Sequence, residues 1–112
     1  MEKITIAGAI SALNPLLNAL EDAYWDSSEV TTKDRLFALV RCVSVELTEL
    51  AKLSVDDHDL PYENITPQFG ASCVKLRQLS LEVPSLFPRE RTATKLDETL
   101  NGASELLTRC LI

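Results

Sequence analysis

The stretch KDRLFALVRCVSVELTELAKL, residues 33–53, decides the fold class. Leu36, Val40, Val43, Leu47 and Leu50 recur at spacings of four and three, widened by Leu39, which is the repeat of one α-helical face and not of a strand. Thr32 ahead of it and Asp34 in the first turn form a start signal, so a helix is expected over about residues 33–53. Ala38, Cys42 and Val45 fall on the opposite side. A helix apolar on two faces belongs at the centre of a bundle or is partly covered by a second subunit.

The same period extends in both directions along the chain. Upstream, Ile6, Ile10, Leu13, Leu17, Leu20 and Tyr24 trace one helical face behind Thr5, a candidate cap. Pro15 either kinks this helix or opens a second one capped by Asn14; the stripe keeps its phase across the proline, which favours one kinked helix. Downstream, Thr66 as cap and Pro67 at the first helical position open a third helix, with Phe69, Cys73, Leu76, Ser80 and Val83 on its face and Leu79 beside it. Its end is expected near Val83, because a proline disfavours helical geometry in the residue before it. After the linker PSLFP, a last helix beginning at Arg89 or Arg91 carries Ala93, Leu96, Leu100, Ala103, Leu107 and Cys110, with Gly102 inside it. Hairpin turn signals are absent. The expected architecture is therefore all-α, an antiparallel four-helix bundle forming one domain over residues 1–112.

Composition narrows the function classes. A chain of 112 residues buries roughly two-thirds of its unfolded surface and needs no covalent staples. Its net charge of −6, from eleven basic residues scattered among seventeen acidic ones, argues against nucleic acid as a partner. The basic run PRERTATK, residues 88–95, is interrupted by Glu90 and reads as a solvated first helical turn. Cys42, Cys73 and Cys110 are odd in number, far apart and lack metal-site spacing, so reduced thiols in a cytoplasmic setting are expected. The opening MEKITIAGAISALNPLL has Glu2 in its charged region and only weak hydrophobicity, so Met1 is expected to stay in the mature domain. No apolar run approaches the roughly 20 residues that cross a membrane.

Catalytic and metal chemistries find little support. The chain's only histidine, His58, sits in VDDHDLPYEN, residues 55–64, among Asp56, Asp57 and Asp59. Zinc and bundle di-iron sites need several donors at set spacings, and the glycine and ligand order of a calcium loop are missing, so no metal or cofactor is expected. The acidic cluster reads as a solvated connection. No GxSxG motif or phosphate-binding glycine loop is present, and each cysteine lies on an apolar helical face, the setting of an inert thiol. No enzymatic activity is expected.

Two stretches stand out as binding candidates. The loop of about twelve residues over 54–65 is longer than most bundle connections, and its Leu60, Pro61 and Tyr62 serve either as a lid on the core or as a recognition surface beside Asp57 and His58. In EDAYWDSSE, residues 21–29, the neighbours Tyr24 and Trp25 cannot both face one core, so one of them should be exposed. The leading expectation is a non-catalytic protein that occludes or escorts one protein partner with a basic surface, through Tyr24, Trp25, Asp57, His58, Leu60 and Tyr62. A homodimer formed through Ala38, Cys42 and Val45 is the second reading. A carrier of a small apolar ligand is the third.

Overall fold

The structure, a computed structural model, describes residues 4–109. Helix α1 spans Ile6–Asp26, α2 Val30–Ala51, α3 Pro67–Leu86, α4 Glu90–Gly102 and α5 Ser104–Arg109, with one 3-10 turn at Val55–Asp57. Helix α1 packs on α2 and α4, α3 packs on the same two, and α5 closes against α3. The four long helices thus stand at the corners of a square. Cross-links fix their directions: Arg35 near the start of α2 pairs with Glu82 near the end of α3, while Lys95 and Arg89 at the start of α4 meet Asp22 and Asp26 at the end of α1. Neighbours therefore run antiparallel, as expected for short connections.

The core of α1 is formed by Ile6, Ala9, Leu13, Leu16, Ala19, Leu20 and Ala23, whereas Ile10, Leu17 and Tyr24 are only half-buried. The buried face is rotated by roughly 60° from the stripe of large apolar residues, taking 100° per residue. Alanines at 9, 19 and 23 account for the shift, because small side chains let neighbouring helices approach closely. Pro15 lies within an unbroken α1. Pro15 and Ser11, whose carbonyl loses its usual partner, are both exposed, which leaves that carbonyl open to solvent.

Three expected boundaries are corrected. Helix α2 starts at Val30 with Glu29 as cap residue, because the Ser27 hydroxyl donates to the Ala23 carbonyl (2.8 Å) and closes α1 at once. Thr32 is instead a buried residue of the first turn. Helix α3 continues through Pro84 to Leu86, since in the last turn the proline forfeits a single backbone bond while buried Phe87 holds the end down. The last helix is two pieces: Ala103 takes φ −98° and ψ 0° between α4 and α5, directly after Gly102, the weakest helix former of that stretch. Cys73 is buried and its thiol donates to the Phe69 carbonyl (3.3 Å), but Cys42 is only half-buried; Cys110 lies outside the described residues.

The connection over residues 54–65 is a strap across the start of α1. The amides of Ile6 and Ala7 donate to the carbonyls of Leu60 and His58 (3.0 Å each), Gly8 donates to the Thr5 hydroxyl (3.0 Å), and the Tyr62 amide donates to the Ile4 carbonyl (2.7 Å). Thr5 and Pro61 form an isolated antiparallel bridge. Amides that a helix start leaves without intrahelical partners are thereby satisfied by a distant loop.

The strap's far end is held by Glu46, which the heptad spacing places at the margin of the core and which is in fact 0% exposed. Its Oε2 accepts from the Tyr62 hydroxyl (2.5 Å) and the Ile65 amide (2.9 Å), and its Oε1 from the Thr66 amide (2.9 Å) and hydroxyl (3.0 Å). Four donors on one buried carboxyl group satisfy the requirement that enclosed polar atoms be bonded. Thr66 in turn caps α3, accepting from the Phe69 amide (3.2 Å), so its side chain is committed to the fold.

Candidate binding surface

The end of α1 and the first two turns of α2 form an aromatic platform. Consecutive residues on a helix point about 100° apart, and with Ala23 in the core, Tyr24 is left on the flank and Trp25 outside. Trp25 is 77% exposed. From α2, Phe37 comes up beside them and is 53% exposed. The Tyr24 and Trp25 rings meet edge to face with centroids 5.2 Å apart, and Phe37 lies 6.3 Å from Tyr24 at a tilt of 49°.

Lys33 braces this end. Its ammonium donates to the Tyr24 carbonyl (2.7 Å) in the last turn of α1, where a cation complements the helix dipole. The same group stands 4.2 Å from the Tyr24 centroid and 5.7 Å from that of Trp25, within cation–π range.

Trp25 divides two clefts of different character. On the α2 side, Glu21, Tyr24, Trp25, Phe37 and Val40 line a hollow of about 170 Å³ that is aromatic except for one carboxylate and one valine. On the α4 side, Trp25 borders a polar cleft of about 430 Å³ with Arg89, Arg91 and Lys95. Charges there are largely spent: Arg89 pairs with Asp26 (3.1 Å), Lys95 pairs with Asp22, and the Thr92 hydroxyl donates to Asp26 (2.8 Å). Glu21 has no ion pair among the described residues.

No known protein family, curated protein or solved structure matches the chain. What the surface can do must therefore be read from its own geometry.

The residues singled out in the sequence do not converge. Tyr24 and Trp25 lie at one end of α1; His58, Leu60 and Tyr62 lie at the other, about 30 Å away for a helix of 21 residues. At that far end Leu60 (52% exposed) and Asp57 face solvent. Tyr62 packs on the core and His58 is half-buried, its carbonyl bonded to Ala7 and its Nε2 enclosed without a hydrogen-bond partner among the described residues. Among the described residues no three His, Cys, Asp or Glu side chains come together as a metal-ligand group. On α2, Ala38 and Val45 (40% exposed) share the outer flank.

Phe37 is the member of the platform that periodicity passes over. Its signal is present all the same: an aromatic residue beside Leu36 but off the α2 stripe has no place in the core. The contribution of Lys33 has no sequence signal, since its bond to the Tyr24 carbonyl depends on how tightly the α1–α2 connection turns.

Proposed function

We propose that this protein is a non-catalytic binding protein that occludes or escorts a protein partner, engaging it through Tyr24, Trp25 and Phe37. The observation that carries the reading is the exposure of Trp25 beside Phe37 on a braced helix end. Leaving two large aromatic rings in water forgoes burial energy, and such rings are the residue types that dominate binding energy when a partner covers them. The strap contributes Leu60 and Asp57 as a separate contact, suited to a partner long enough to span the bundle.

The experiment is affinity capture from cells of the source, with the bound protein identified by mass and the complex sized by light scattering. One stoichiometric partner is expected to be retained by the wild-type chain. The combined replacement Trp25→Ala and Phe37→Ala should weaken that complex by about 2 kcal/mol or more, roughly 30-fold, as for central interface aromatics. Undiminished capture by the folded double variant would defeat the proposal. Replacement of Leu60 by alanine measures the strap's share independently.

A further inference from the structure

The hollow on the α2 side of Trp25 has the composition of a cation receptor. Tyr24, Trp25, Phe37 and the aliphatic Val40 line this half-open hollow, and its only ionisable lining groups are the carboxylate of Glu21 and the phenol of Tyr24, with the Lys33 ammonium close by. Ring faces carry the negative part of the aromatic quadrupole, so they attract a cation more strongly as water is excluded. The Lys33 ammonium, anchored on the Tyr24 carbonyl, already lies over the Tyr24 ring, so a second cation is opposed by that charge and depends on Glu21 and the Phe37 ring. Glu21, exposed and without an ion pair among the described residues, stands ready to neutralise a second cation.

We infer that this hollow accepts an arginine side chain from a basic segment of the protein partner, with the guanidinium between the aromatic faces and Glu21. The inference rests on the binding role proposed above and names the chemistry of what is bound. Arginine suits the hollow better than lysine, because its planar, weakly hydrated group stacks on rings and pairs with a carboxylate in fork geometry. Its methylenes lie against Val40. Charge also selects among occupants: a second copy of this chain would bring another net charge of −6 to the interface, whereas a basic segment is attracted over its whole length.

Trp25 is the chain's single tryptophan, so its fluorescence reports on the hollow directly. The probe is a basic helical peptide of leucine, arginine and alanine, compared with the same peptide carrying citrulline, a neutral isostere, at every arginine. A saturable change in Trp25 emission is expected with the arginine peptide, weakened roughly tenfold by citrulline, by Glu21→Gln and by Phe37→Ala, all read at one salt concentration. All these side chains are exposed or half-exposed, so the variants keep the fold, checked by circular dichroism. Equal binding of the citrulline peptide would show apolar docking and overturn the inference, as would an absence of any saturable change. Arginine peptide bound equally well by Glu21→Gln and Phe37→Ala would place the contact elsewhere on the acidic surface and overturn it too. Arginine amide binding as tightly as the peptide would make this a small-molecule site, and a doubled native mass with Trp25 shielded before any peptide is added would assign the hollow to a second copy; either result overturns it. A captured partner lost on Trp25→Ala but indifferent to Glu21→Gln removes this inference and leaves the binding role standing, whereas failure to capture any partner removes the role itself.

Discussion

Replacing Glu46 with glutamine tests the strap at its most constrained point. The carboxylate accepts four hydrogen bonds, two at each oxygen, and each oxygen receives one backbone amide and one hydroxyl. A glutamine amide is nearly the same size but carries a donor on one side. With its NH₂ at the Oε2 position, the Tyr62 hydroxyl can turn round and accept, but the Ile65 amide cannot. With the NH₂ at the Oε1 position, the Thr66 amide is stranded in the same way. Either orientation sets a donor against a donor, the Thr66 amide buried and the Ile65 amide partly so, at about 1–3 kcal/mol for the unsatisfied group and about 1 kcal/mol for the second weakened bond. The expected loss is therefore about 2–4 kcal/mol, a large part of the roughly 5–15 kcal/mol by which such domains are stable. Tyr62→Phe, which removes one of the four donors and leaves Oε2 bonded to the Ile65 amide, should cost only about 1 kcal/mol.

Urea unfolding followed by far-ultraviolet circular dichroism gives both numbers, and amide exchange shows where the loss occurs. Because Ile6 and Ala7 donate to the carbonyls of Leu60 and His58, loosening the strap at Glu46 should raise exchange at the start of α1 as well as at Ile65 and Thr66. A Glu46→Gln variant within about 0.5 kcal/mol of wild type, with Ile6 and Ala7 still protected, would refute the reasoning.

Other outcomes follow from the same structure. Gly102→Ala should stabilise the chain by about 0.5–1 kcal/mol in thermal or urea unfolding, since its φ is not positive and an added Cβ meets nothing within 4 Å. The two-pronged Arg35–Glu82 pair holds the Glu82 carboxyl below its usual value of 4.5, chiefly through the side-chain hydrogen bond, with desolvation opposing it and the guanidinium charge adding the smallest contribution. A lowered folded-state value means that the pair's stabilisation is fully present above the ordinary glutamate range and is lost as pH falls through the depressed value. Wild type and Glu82→Gln should thus differ by a constant amount from pH 6 to 7 and converge in acid, to be read from unfolding midpoints across about pH 2–7. Trp25→Ala should leave folding stability within about 0.5 kcal/mol, because the ring is largely in water. Val45→Glu should be similarly neutral for folding, and would split a dimer built on the outer flank of α2, checked by light scattering.

The helices were legible because their apolar residues recur at the helical period, and Thr5 and Thr66 were legible as caps because that function is local: each hydroxyl reaches an amide three residues on. The boundaries at Val30, Leu86 and Ala103 were not, since they rest on the Ser27 bond that closes α1, on the burial of Phe87 and on the weak helix former Gly102. Buried Phe87 holds α3 past a proline that would end an isolated helix. Of the candidate surface, the outward position of one of Tyr24 and Trp25 followed from their adjacency, but the hollow needs Phe37 from a second helix.

By itself the sequence determined an all-α chain of amphipathic helices, because period and capping are properties of residues within a few positions of each other. Only the tertiary structure decided which face of α1 is buried, that Glu46 is the anchor of a strap and not a rim residue, and that the two suspected binding stretches lie at opposite ends of the bundle. Small alanines set the first by allowing close approach. Donors sixteen to twenty residues away along the chain converge on one carboxyl group to set the second. The third follows from helix length, since a helix carries its two ends apart by a fixed rise per residue and no local pattern records what each end will meet.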